Sequence, residues 1–122
     1  MFISSVGMDG NGGIMAKNTS YLLKLDVIIL GILYEKDYYG YEMTKVISDK
    51  TKGFVTPKIG NLYPILHELL QLKYISSYEV KNGTKIRVYY HIEEKGRMYL
   101  KIKGKQYIEL FEVIKSIILK ED

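Results

Sequence analysis

The sequence predicts a mainly α-helical chain with one small β-hairpin. The expected architecture is a winged helix-turn-helix domain followed by a long C-terminal dimerisation helix. Three observations predict it. Residues 56–75, TPKIGNLYPILHELLQLKYI, carry apolar side chains at Ile59, Leu62, Leu66, Leu69 and Leu70, the spacing of an amphipathic helix. Two alternating runs follow directly, residues 75–80 and 84–92, with Asn82-Gly83 between them, the strongest short hairpin signal. Two shorter helical patterns precede this stretch, and one long apolar stripe ends the chain.

Bulk properties bound the answer. At 122 residues the chain suits one domain with an added helix, and an apolar content of 47% is enough for a packed core. The net charge is +4 and the isoelectric point about 9.1, which is compatible with a polyanionic partner. With no cysteine, disulfides and cysteine-based metal sites are excluded, and a reducing compartment is the easier setting. The longest apolar run, residues 27–33, falls far short of the roughly 20 residues that span a bilayer. No stretch has the basic-then-apolar form of a secretory signal. The expected location is therefore the cytoplasm, with no membrane partner.

Taken in order, residues 1–18 contain MDGNGGIM. Gly10, Gly12 and Gly13 predict a flexible leader outside the fold, with Met15 as an alternative start. Residues 19–92 form the expected winged helix-turn-helix domain. Its first helix, residues 19–34, has Thr19 or Ser20 as a cap and is apolar on several sides, as a buried helix would be. Residues 35–37 form a polar turn. Gly40–Lys50 reads as a shorter helix with a narrow stripe of Met43, Val46 and Ile47, ending near Thr51-Lys52-Gly53. In the third helix, Thr56 is the expected cap and Pro57 the first helical residue. Pro64 has no N–H for the Gly60 carbonyl and its ring crowds that carbonyl. Either the helix kinks there or its regular part begins near Asn61, and the missing side chain of Gly60 eases the strain.

The polar side of this third helix carries the candidate chemistry. Lys58 can donate to a phosphate or a base, the Asn61 amide can pair with a base edge, and the Tyr63 hydroxyl can reach a phosphate. In the hairpin, Tyr78 and Val80 share one face of the first strand, and Ile86, Val88, Tyr90 and Ile92 share one face of the second. Lys81, Lys85 and Arg87 lie near its tip with no acid between them, as a wing gripping a phosphate backbone requires. Thr56, Lys58, Asn61, Tyr63, Lys81, Lys85 and Arg87 form the candidate contact set for double-stranded DNA.

Residues 93–122 read as a dimerisation helix. Glu93 and Glu94 suit its positive end. Leu100, Tyr107, Leu110, Phe111, Ile114, Ile117 and Ile118 make a broad apolar stripe, and Leu100, Tyr107 and Ile114 repeat every seven residues, as in a coiled-coil seam. Gly96 and Gly104 weaken the helix but permit close approach. So small a chain has little spare surface to cover the stripe, so its expected cover is a second copy in a two-fold homodimer.

Catalytic patterns are not found. His67 and His91 lack a neighbouring acid-and-nucleophile pattern and read as surface or packing residues. Glu93 and Glu94, adjacent on a helix, point apart rather than forming a carboxylate pair. The N-terminal glycines lack the preceding strand and closing lysine of a phosphate loop. No enzyme activity, metal or cofactor is expected. The competing reading is a winged-helix protein-interaction or sensor module without specific DNA binding.

Four words carry a resemblance to a known family: ILGILYEKDYYGYEM (residues 29–43), TPKIGNLYPILHEL (56–69), LKYISS (72–77) and YYHIEEKGR (89–97). In order and separation they resemble the PadR-like transcriptional regulators. The resemblance spans about residues 22–97 and implies a homodimeric winged-helix repressor on an inverted-repeat operator, released by a small hydrophobic or aromatic inducer. The sequence departs from the family pattern at three places. Asn61 stands where the family has threonine, and Lys73-Tyr74 where a glycine usually precedes a leucine-isoleucine word. Tyr107 falls near the place where short members carry a ligand-stacking tryptophan, which makes Tyr107 the candidate ligand-binding residue.

Overall fold

The computed structural model describes residues 25–120. The expected leader, the caps Thr19 and Ser20, and the start of the first helix lie outside the described residues. The elements are α1 (Leu25–Glu35), β1 (Tyr38–Tyr39), α2 (Gly40–Lys50), α3 (Ile59–Gln71), β2 (Ile75–Asn82), β3 (Lys85–Ile92) and α4 (Glu94–Ile118). Helix α1 buries Leu25, Ile29, Leu30, Ile32 and Leu33, which explains why its apolar residues nearly encircle it. Met43 and Ile47 of α2 and Leu62, Leu66 and Leu69 of α3 close the core over it, and Ile75, Tyr90 and Ile92 seal the sheet side.

The sheet is antiparallel in the order β1-β3-β2. Strand β1 was not expected. Tyr38 and Tyr39 pair with Tyr90 and Tyr89, so the tyrosine cluster ahead of α2 extends the hairpin into a three-stranded sheet. The hairpin turn also differs from the expectation. Asn82 pairs with Lys85, leaving Gly83 and Thr84 as the loop, and Gly83 has φ +68°. Glycine at the first of two loop residues is the requirement of a type II′ turn, whereas an Asn82-Gly83 loop would have needed positive φ at both.

Side-chain and main-chain hydrogen bonds fix the two ends of α3. Its N-cap is Lys58, not Thr56, and Pro57 lies outside the helix. The backbone N–H of Lys58 donates to Asn61 Oδ1 at 3.1 Å, and the Asn61 N–H donates to the Lys58 carbonyl at 2.8 Å. Asn61 thus ties down the first turn from three residues in, and this places the start later than an N-cap threonine would have done. The helix runs on through Pro64, which has no N–H for the Gly60 carbonyl, and both residues are exposed. At its other end, Lys73 N–H bonds the Leu70 carbonyl and Tyr74 N–H bonds the Leu69 carbonyl, with Lys73 at φ +67°. This is a Schellman closure with lysine in the left-handed position where glycine is usual. Helix α2 ends the same way, on Lys52 at φ 55° rather than on Gly53.

Helix α4 leaves the sheet at a tight contact. The Glu93 N–H donates to the Tyr74 carbonyl at 2.9 Å, and a Cβ at Gly96 would land on that same carbonyl oxygen. Gly96 is therefore required by close approach, as expected. A Cβ at Gly104 would meet nothing within 4 Å among the described residues. Among the described residues, no helix is long and apolar enough to cross a membrane.

Candidate nucleic-acid interface

Helix α3 is held by its buried face, and its opposite face turns outward. Lys58 and Asn61 are exposed at its start, and Tyr63 is half exposed one turn on. The Asn61 side chain has two demands on it. Its oxygen accepts the Lys58 N–H, while its amide nitrogen keeps two donors available for a base edge. The Tyr63 ring leans toward the start of α2: a Cβ at Gly40 would sit 3.5 Å from the Tyr63 hydroxyl and 2.9 Å from Ile59 Cδ1. Gly40 thus lets α2 and the start of α3 pack together. Thr56 is exposed in the link ahead of α3, beside Phe54, which is 82% exposed.

The register of the hairpin separates its cations. Lys85 faces Asn82 and Arg87 faces Val80, while Lys81 faces Ile86. Because side chains alternate along each strand, Lys85 and Arg87 share one face with Tyr78 and Val80. Lys81 shares the other face with Ile86, Val88 and the buried Tyr90 and Ile92. The two alternations visible in the sequence therefore fall on opposite faces of the hairpin. Lys81 and Lys85 are exposed and Arg87 is half buried.

Arg87 is held on an aromatic row that sequence reading did not assemble. Its guanidinium lies 4.6 Å from the Tyr39 ring centre, Tyr39 meets Tyr89 edge-on at 5.4 Å, and Tyr89 stacks on Tyr78 at 5.7 Å. Asp37 closes the same face. It accepts from the Tyr78 hydroxyl at 2.7 Å, and its other oxygen is 2.8 Å from His91 Nδ1. Burial pushes the Asp37 carboxyl up, but the Tyr78 and His91 hydrogen bonds and the His91 charge outweigh it and hold the group below its ordinary 3.8. The hydrogen bond to Asp37 in turn raises the Tyr78 phenol. These contacts join the α1–β1 turn to both wing strands. Asp37 stands 41 and 54 residues from its partners, so no local pattern announces the group. His67 is exposed on α3.

The stripe on α4 is divided. Leu100 packs against the core of its own domain. Tyr107 is half buried beside a hollow lined by Val27, Ile28, Gly104, Ile108 and Phe111, and its ring stacks on Phe111 at 6.4 Å. Burial, with the nearby Asp26 carboxylate, pushes the Tyr107 phenol up to about 12. Leu110, Phe111, Ile114, Ile117 and Ile118 are exposed. Among the described residues, no group of three or more His, Asp or Glu side chains is placed to hold a metal ion.

Three helices built around one core, a helix held by one face, and a hairpin beside it define a winged helix-turn-helix protein. Residues 29–102 match the family model described as the transcriptional regulator PadR-like family, and the chain belongs to that family of transcriptional regulators. A transcriptional regulator from Clostridium thermocellum has a solved structure that is 34% identical. It matches over 84% of this chain and 99% of its own, with a TM-score of 0.75. The Escherichia coli transcriptional regulator YqjI is 31% identical over 87% of this chain, which spans about half (49%) of that relative's length. Bacillus subtilis PadR, solved in complex with operator DNA, shares the fold with a TM-score of 0.61 at 22% identity, over 80% of this chain and 49% of that one.

Proposed function

We propose that this chain is a sequence-specific DNA-binding repressor that acts as a homodimer on an inverted-repeat operator. Residues 19–92 form the DNA-binding head and residues 93–122 the dimerisation helix. The observation that carries the reading is the start of α3. Lys58 and Asn61 are exposed on a helix whose other face is locked in the core by Leu62, Leu66 and Leu69, so the helix can enter a major groove as a rigid unit. Thr56 and Tyr63 flank these readers, and Lys81, Lys85 and Arg87 grip the adjoining backbone. Arg87, braced by Tyr39, holds a fixed direction, and Lys81 and Lys85 reach out from the two faces of the wing. The Bacillus subtilis relative bound to operator DNA supports the same use of the fold here.

The second copy covers Leu110, Phe111, Ile114, Ile117 and Ile118, with Leu100 and Tyr107 at the near end of the seam. An exposed apolar stripe of this length on a small chain calls for a partner, and open space over Gly104 lets a second helix come close. A small hydrophobic or aromatic inducer lodges in the hollow beside Tyr107, between α1 and α4, and releases DNA by shifting the two heads. The protein acts in the cytoplasm.

The test is binding of the purified protein to the DNA upstream of its own gene and to unrelated duplex, across a salt series. The proposal expects preference for the former and a steep salt slope. Lys85→Ala weakens binding to all duplexes alike and lowers the slope by about one. Equal, weak binding to all DNA contradicts the proposal, and an unaltered slope removes Lys85 from it.

A further inference from the structure

Gly60 stands in the first turn of α3, between Lys58 and Asn61, and nothing inside the described chain requires glycine there. Its φ is not in the left-handed region. Among the described residues, a Cβ built on it meets no atom within 4 Å beyond its chain neighbours and its own helix backbone, so there is room for a side chain. The ring of Pro64, one turn on, is not within 4 Å of that Cβ, so no side-chain contact with the proline calls for glycine, and any effect of the proline would pass through the Gly60 carbonyl. Gly40 and Gly96 are hemmed in by the chain itself, and Gly53 and Gly83 have positive φ. Gly31 and Gly104 share the open surroundings of Gly60, but Gly60 alone of the three lies on the turn that carries Lys58 and Asn61. Glycine in a helix raises the conformational entropy lost on folding relative to alanine. Among the described residues, neither packing at its Cβ nor a positive φ calls for glycine at this position, which a helix would fill more favourably with alanine.

We infer that Gly60 is a clearance residue for DNA: its bare main chain lets the wall of the groove pack directly on the first turn of α3. This inference rests on the proposed DNA-binding function. Two further observations fit it. Gly60 is exposed on the turn that carries Lys58 and Asn61. Asn61, next in sequence, has its side-chain oxygen fixed by the Lys58 N–H, so its reach toward a base is short. A short reader needs the helix to sit deep, and a side chain at position 60 would hold it off. Gly60 would then set specificity without donating or accepting a hydrogen bond of its own.

The test is Gly60→Ala in the full chain, read by thermal unfolding and by binding to the upstream duplex. The expected result is an equal or higher Tm with operator affinity lowered by roughly tenfold or more, the scale of one lost specific contact. The salt slope stays as in the wild type, because no charge is removed. The double variant Gly60→Ala, Pro64→Ala should lose as much affinity relative to Pro64→Ala alone, since the effect does not pass through the proline. A lower Tm for Gly60→Ala would show that the fold needs glycine and would overturn the inference, as would unchanged operator affinity. Wild-type protein that prefers no duplex would overturn the proposed function itself, and the inference with it. Wild-type preference retained in full by Gly60→Ala would overturn the inference alone.

Discussion

Helices α3 and α4 are both amphipathic, yet their apolar faces meet different fates. In α3, Leu62, Leu66 and Leu69 are 0–2% exposed, and the face is spent within the chain. In α4, Leu110 and Ile114 remain 37% exposed, Phe111 44% and Ile118 67%. Of the residues of α4, Gly96 alone is buried. Periodicity therefore predicts that a helix has a face to bury, but not what will bury it. For α3 the unspent side is polar and carries Lys58 and Asn61. For α4 it is apolar, and the proposed dimer is what would cover it.

The largest expected effect lies on the buried side of that contrast. Leu66→Ala should lower the unfolding free energy by about 2–5 kcal/mol, measured by urea denaturation, because Leu66 is buried in the core and its loss leaves a cavity there. Ile114→Glu should leave the head folded but convert the proposed dimer to monomer in sedimentation velocity. A dimer that survives Ile114→Glu would place the interface elsewhere and leave the α4 stripe unexplained.

Asn61→Ala sharpens the reading of the polar side, since it has two separable consequences. Loss of the acceptor for the Lys58 N–H should cost roughly 0.5–1 kcal/mol of stability. Loss of a base contact should cost about 1–3 kcal/mol of operator discrimination. Stability loss with full discrimination retained would make Asn61 a capping residue only. Lys73→Gly should stabilise the fold by about 1 kcal/mol, because lysine is held at φ +67° at the end of α3. An unchanged urea midpoint would contradict that strain.

The smallest effect concerns the wing face. The folded pKa of Asp37 lies below its ordinary 3.8, so its stabilisation is present above that value and lost as pH falls through the folded value. Asp37→Asn should therefore differ from wild type near neutrality, and the gap should narrow in acid below about 3.8. A gap that stays constant into acid would mean that the Tyr78 and His91 contacts do not depend on the charge.

Local chemistry made much of the fold legible in the sequence. The bounds of α2, the start of β2 and the end of β3 follow from caps, glycines and alternation, and so does a long terminal helix. What was not legible depends on partners far apart in the chain. Strand β1 exists only because Tyr38 and Tyr39 meet β3, and the Asp37 group needs residues 41 and 54 positions away. Any two-residue loop here parts Lys81 from Lys85, so moving the loop from Asn82-Gly83 to Gly83-Thr84 changes which residues pair but leaves every side chain on the same face. Thr56 and Pro57 make a good local signal for an earlier start of α3, and the Asn61 side chain overrides it from inside the helix. Of the candidate site, residue identities were readable, but the brace on Arg87 and the free space at Gly60 were not.

The most direct test of the central claim is sedimentation of the protein with a duplex from upstream of its own gene, combined with a footprint on the same DNA. The proposed account expects two chains per duplex and two protected segments related by two-fold symmetry, about one helical turn or a small multiple apart. A single chain per duplex, or protection without symmetry, would contradict it.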